Sequence, residues 1–189
     1  AKAIESQENI LKIMPDSIEN YIPQSVVANQ KRQAFWVWIV AFAVAFLWLV
    51  AIVAAPILEE NGIKSISQPI YRFFSFMCHQ ISSRSFHYHE EQFAVCARCF
   101  GFYGGFAFGF IVYPFVRALN NTDSFPRFWL FAAMIPMGID VGLTFFEVWE
   151  NTHLSRTLTG LILGFACAFF IIPALVEISY YLRQSVKKR

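Results

Sequence analysis

The sequence predicts an all-α polytopic membrane protein, with four transmembrane helices and an interfacial amphipathic helix in the first loop. Three observations carry this. Of 189 residues, 57% are hydrophobic and only 15% charged, where an average soluble domain is roughly a quarter charged. The mean hydropathy is +0.47. Four runs with no charge or a single charge approach the ~20 residues that a helix needs to cross a bilayer core. The runs are continuous rather than alternating, which argues for helices over a barrel. A soluble fold of this size would carry more surface charge. With 22 Phe, 7 Tyr and 5 Trp, the chain is also too apolar to be disordered. Its length fits one domain. The net charge of +2 singles out no partner beyond the lipid bilayer. The basic residues are dispersed, so nucleic-acid binding has no support.

The elements follow in order. Residues 1–34 are mostly polar and form a cytoplasmic or interfacial N-terminal segment. A weak stripe there (Ile10, Met14, Ile18, Tyr21) is broken by Pro15. The first apolar run begins too late for a typical signal peptide. Span 1 is Phe35 to Ile57, residues 35–57, rich in Trp and Phe and without Gly, which suits a peripheral position. Residues 58–182 hold a Cys/His loop and a three-helix core. Within the loop, Ile66, Ile70, Phe73, Phe74 and Met77 recur at helical spacing, as an amphipathic helix at the interface would. Such a helix either caps the bundle or contacts lipid. Span 2 is Phe100 to Val116, span 3 is Phe128 to Phe146 with Asp140 inside it, and span 4 is Thr157 to Val176. Pro136 and Pro173 are candidate kinks in spans 3 and 4. Residues 183–189 are a basic tail. Ten Lys and Arg fall on the side of the two termini and five on the other, which favours cytoplasmic termini.

Small residues mark the packing faces. Gly101, Gly105 and Gly109 repeat every four residues on span 2. Gly160, Gly164 and Ala168 do so on span 4, and Gly138 and Gly142 lie on span 3. Small residues at this spacing let backbones approach closely in lipid. Spans 2, 3 and 4 are therefore expected to pack tightly.

The scarce polar chemistry is concentrated. Cys78, His79, His87, His89, Cys96 and Cys99 lie within 22 residues. Cys96-Ala97-Arg98-Cys99 places two thiols on one turn, which suits a metal or a reversible disulfide. A helix N-terminus and Arg98 would both favour thiolate. Cys78 supplies a third sulfur, and His79, His87 and His89 are the candidates for a fourth ligand. Cys3His is a familiar zinc set. Cys167, in the middle of span 4, reads as a small core residue. Asp140 is the single charge inside a span, and such a residue usually faces a partner or a cavity. It lies in the outer half of span 3 on the predicted orientation. Arg98 and Arg156 open spans 2 and 4 on the same side, with Thr159 nearby and Arg84 in the loop. A polar pocket beside the thiols is one reading, and an Asp–Arg pair that locks the helices is the other. Glu147, Glu150 and His153 read as solvated.

Cys78-His79-Gln80, Arg84-Ser85-Phe86, Cys96-Ala97-Arg98-Cys99 with Gly101 and Tyr103-Gly104, then Asp140, then Arg156 with Thr159-Gly160 and Gly164, resemble a family of bacterial and archaeal integral membrane proteins of unknown function. The resemblance covers about residues 66 to 177. Phe100 departs from the Thr expected after the second Cys of the pair. The resemblance implies a prokaryotic cytoplasmic membrane and brings no established activity. Three functions remain in view: an outer-face metal site, zinc or another transition metal, bound by Cys78, Cys96, Cys99 and a His; a thiol–disulfide oxidoreductase using Cys96 and Cys99; and a non-enzymatic accessory subunit of a larger membrane complex, with Trp36, Trp38 and Trp48 on its face. A closed metal site would be structural, whereas an open fourth position would permit hydrolysis by metal-bound water.

Overall fold

The computed structural model describes residues 24–148 and 150–187. Five α-helices dominate the described residues: α1 (Gln24–Glu60), α2 (Lys64–Ser75), α3 (Ala97–Val116), α4 (Phe128–Phe145) and α5 (His153–Lys187). Four of them, α1, α3, α4 and α5, are long and apolar enough to cross a membrane. The stripe Ile10, Met14, Ile18, Tyr21 and the end of the basic tail lie outside the described residues. Both outer helices outrun their apolar runs. α1 is helical from the first described residue, Gln24, and passes without a break through the boundary at residue 35, and α5 continues past Val176 to Lys187. Backbone hydrogen bonds inside a helix do not depend on the polarity of its side chains, so a change in composition need not end one.

One element departs from an all-α fold. β1 (Ser85–Tyr88) and β2 (Glu91–Cys96) pair as an antiparallel hairpin, with Tyr88 opposite Glu91 and Ser85 opposite Cys96. Its two-residue turn is His89-Glu90, with His89 in the left-handed region at φ 49°. Asn and Gly usually fill such turns. Without them, the hairpin leaves little trace in the sequence.

α1 ends as its residues dictate. Gly62 sits at φ +75°. Gly62 N–H donates to Glu59 O at 2.9 Å and Ile63 N–H to Leu58 O at 2.9 Å, the paired bonds of a Schellman cap. α4 ends the same way, through Glu147 N–H to Thr144 O and Val148 N–H to Leu143 O. There the left-handed residue is Glu147 at φ 56°, where Gly would be relaxed. The start of α1 and the end of α5 meet: Gln33 Nε2 donates to Ser179 O at 2.8 Å and Tyr180 OH to Gln30 O at 3.0 Å. The hairpin and the cysteines therefore stand at the opposite end of the bundle.

Packing differs from the expectation in one respect. α3 and α5 form the dense pair. A Cβ added at Gly101, Gly105, Gly160 or Gly164 would fall well inside contact distance of the facing backbone, at Thr157, Leu161, Arg98 and Phe102 respectively, and one at Gly109 would meet Ala168. α4, by contrast, is the loosely held helix. Its single buried residue is Asp140, and a Cβ at Gly138 or Gly142 would meet nothing within 4 Å. α1 leaves most of its apolar stretch unburied, as a peripheral span would. It packs on α2, β2, α3 and α5, and its Ile52 and Ala55 join Phe74, Cys78, Ala94, Val95 and Cys96 in a buried cluster. Trp38 and Trp48 turn inward: Trp38 Nε1 donates to Phe110 O at 2.9 Å, and Trp48 meets Phe74 edge-on at 5.4 Å. Trp36 stays 60% exposed.

Gly164→Leu forces a side chain against the Phe102 backbone, which cannot rotate away. The variant is expected to lose at least about 3 kcal/mol, the upper range of overpacking. Thermal unfolding in detergent measures it, and Gly142→Leu serves as the control that leaves the midpoint unchanged.

Candidate metal centre and adjoining polar cluster

Three chain segments deliver the thiols. α2 hands over to Cys78 through the Cys78 N–H bond to Phe74 O at 2.9 Å. β2 ends at Cys96, which is also the N-cap of α3, and Cys99 lies in the first turn of that helix. The three Sγ atoms all lie within 4.8 Å of one another. None of the three is joined in a disulfide; Cys78 and Cys96 are buried and Cys99 half-buried. A tetrahedral zinc ion with Zn–S bonds of ~2.3 Å needs sulfurs ~3.8 Å apart, which this cluster fits. The Cys96 N–H points at Cys78 Sγ at 3.2 Å, the kind of donor that stabilises a metal-bound thiolate. Hydrogen bonds from the Cys78 and Cys99 side chains hold the Cys96 thiol well below the usual range; burial opposes them, and the nearby His79 adds to them.

No histidine among the described residues joins the cluster. His79 is exposed. His87 Nε2 meets Ser82 Oγ at 3.0 Å, and His89 Nδ1 pairs with Glu60 at the end of α1. The hairpin carries His87 and His89 on its exposed strand and turn, so neighbours in sequence part company in space.

Sequence reading gave Gln80 no role, and the structure supplies one. Its backbone sits at φ 47°. Its Nε2 donates to Tyr71 O and to Ala94 O, each at 2.8 Å, while Gln92 Nε2 donates to Gln80 O at 3.2 Å. Tyr71 OH donates in turn to Gln92 O. Burial, with Glu91 and Glu59 behind it, pushes the Tyr71 hydroxyl up to about 12, so it remains a donor. These bonds clamp α2 to β2 and set the distance from Cys78 to Cys96. Gln80→Ala leaves two carbonyls without their donor and is expected to cost about 2–6 kcal/mol, at 1–3 kcal/mol for each unsatisfied group. A lowered thermal midpoint and faster alkylation of Cys78 in detergent would register it.

Asp140 is the hub of the second cluster and is 9% exposed. Arg98 Nη2 donates to its Oδ2. Asn151 Nδ2 donates to the same oxygen and Ser155 Oγ to Oδ1, each at 2.8 Å. Arg156 reaches Asp140 through Asn151, donating from Nε to Asn151 Oδ1. Arg98, from α3, thus binds α4 and α5 through one carboxylate. Arg84, Arg98 and Arg156 line a common cavity with Thr144, Glu147 and Asn151. Glu147 and His153 are exposed, as read from sequence; Glu147 stands at the rim of that cavity, and His153 stacks on Phe86 at 5.5 Å. Thr159 is absent from its lining and bonds the Ser155 and Arg156 carbonyls of its own helix. Asn151 and Ser155 escaped sequence reading. Their only signal was their nearness to Arg156 at the start of span 4.

The fold and this site define a class: a small membrane protein of four apolar helices, with a three-thiol cluster and a carboxylate–guanidinium hub at one end. Residues 78–170 match a family described as predicted membrane proteins, DUF2085, and the chain belongs to that family. The match contains every cysteine of the cluster and Arg84, Arg98, Asp140 and Arg156. An uncharacterized protein of Methanocaldococcus jannaschii is 38% identical over 121 residues, 64% of this chain and 78% of its own length. An uncharacterized protein of Methanothermobacter thermautotrophicus is 32% identical over 95 residues, 50% of this chain and 84% of its own. No solved structure matches.

Proposed function

We propose that the protein is a metal-binding membrane protein of the cytoplasmic membrane, with cytoplasmic termini and a zinc site on the outer face. The observation that supports this reading is the convergence of Cys78, Cys96 and Cys99 within 4.8 Å. Three thiolates suit zinc or another thiophilic metal, and such ligands are deprotonated by the ion they bind. The exposed His79 is the nearest nitrogen in sequence for a fourth position, and water is the other candidate. Three thiolates tie α2, β2 and the start of α3 together, which makes the site structural in the first instance. A fourth position held by water would add Lewis-acid chemistry. Elemental analysis of the full chain, purified under reducing and chelator-free conditions, is expected to give about one equivalent of zinc, as a single closed site requires. Less than about 0.2 equivalents of any transition metal rejects the proposal.

The same proximity of Cys96 and Cys99 supports a second reading, a thiol–disulfide oxidoreductase. Closing that disulfide would release two electrons and two protons to an acceptor such as a quinone. Thiol trapping after mild oxidation separates the two readings: an oxidised pair that re-reduces supports redox use, and thiols that stay reduced with metal bound support the metal site.

A further inference from the structure

We propose that the arginine cavity and the groove beside it form a binding site for a phosphate-headed lipid, the headgroup among Arg84, Arg98 and Arg156 and an acyl chain between α4 and α5. The site is separate from the thiol cluster and needs no metal.

Charge is the first observation. The cavity, of about 330 Å³, is lined by three guanidinium groups and one carboxylate, Glu147, with Asp140 bonded to Arg98 beside it. Asp140 is already spent, since both its oxygens accept bonds from Arg98, Asn151 and Ser155. Glu147 makes no ion pair among the described residues. Arg156 commits only Nε, and Arg98 Nε is buried with no partner. Arg84 has no side-chain partner among the described residues. Guanidinium donors in a fixed fork match phosphate oxygens. The first turns of α3 and α5 bring Arg98 and Arg156 to this place, so two positive helix ends add to the field.

Depth is the second observation. Asp140 lies five residues from the end of α4 at Phe145, or about 7.5 Å at 1.5 Å per residue. That is where headgroups meet hydrocarbon.

The groove is the third. An apolar channel of about 410 Å³ runs along α4 toward mid-membrane, lined by Met134, Met137, Gly138, Gly142 and Leu163. It shares Val141 and Phe145 with the arginine cavity. Gly138 and Gly142 face no neighbour, so the small residues of α4 leave a channel where those of α3 make a helix contact. A charged head continuous with an apolar channel is the outline of one amphiphile, which free phosphate would fill only at one end.

The test titrates delipidated full-length protein in detergent by native mass spectrometry. The probes are dioleoyl phosphatidic acid, dioleoylglycerol (the same chains without phosphate) and inorganic phosphate. Phosphatidic acid is expected to bind at least about fivefold more tightly than dioleoylglycerol, and less tightly as salt is raised. Arg84→Gln is expected to weaken phosphatidic acid about fivefold, the effect of one interfacial arginine, and to leave dioleoylglycerol unchanged. Gly142→Leu, which fills the channel without touching a helix contact, is expected to weaken phosphatidic acid and leave inorganic phosphate unchanged. Equal binding of the two lipids, or no effect of Arg84→Gln in a protein with an unchanged unfolding midpoint, overturns the headgroup assignment. Inorganic phosphate that displaces the lipid, together with a silent Gly142→Leu, overturns the lipid and leaves a free-phosphate site.

Discussion

Cys96→Ser is expected to lower bound zinc from about one equivalent to below about 0.2, because two thiols and an exposed imidazole do not close a tetrahedral site. Cys96 is the choice because it lies between the other two in bonding. Its N–H donates to Cys78 Sγ, and its own thiol receives bonds from both neighbours. Serine keeps the size and is a preferred residue at this N-cap position, so the loss reports on the sulfur rather than on the helix. Because binding energy at a structural site is also folding energy, the variant and chelated wild-type protein are expected to unfold at the same lowered midpoint. Cys167→Ser, far from the cluster on α5, is expected to keep its metal. Full zinc in Cys96→Ser would show that the metal sits elsewhere.

Asp140→Ala is expected to destabilise the protein by about 3–5 kcal/mol, the cost of leaving one partner of a buried ion pair alone. The charge left behind is that of Arg98, whose Nε already lacks an acceptor. The same change strips acceptors from Asn151 and Ser155 and so loosens α4, which has no other buried residue to hold it. Arg98→Met with Asp140→Ala is expected to recover most of the loss, since removing both charges removes the uncompensated one. Thermal unfolding of the two single variants and the double variant in one detergent completes the cycle. A double variant as unstable as the sum of the singles would mean that the two residues act independently.

The four crossings were readable because each is a continuous apolar run, and lipid accepts such a run in few other forms. The gathering of Cys78, Cys96 and Cys99 was readable in part: two share one turn of helix by spacing alone, while the third depended on how the loop folds back. Gln80 performs that folding back, and nothing in its neighbourhood announces it, because its partners are carbonyls of Tyr71 and Ala94 and every residue has a carbonyl. The histidines show the opposite failure. They crowd the same window as the thiols, yet the hairpin carries His87 and His89 to Ser82 and Glu60. A hairpin turn made by His89-Glu90 has no propensity signal strong enough to predict it.

The glycines mark the division most clearly. The pattern of small residues four apart occurs on α3, α4 and α5 alike, and it states only that a smooth face exists. On α3 and α5 that face meets a helix backbone; on α4 it meets open space. Composition and periodicity settled that this chain crosses a membrane and which faces are smooth, since both are properties of a segment and its solvent. Which smooth face finds a partner, which arginine finds Asp140 and which potential ligands meet the thiols depend on contacts between segments far apart in the chain. Those were decided only when the helices took their places.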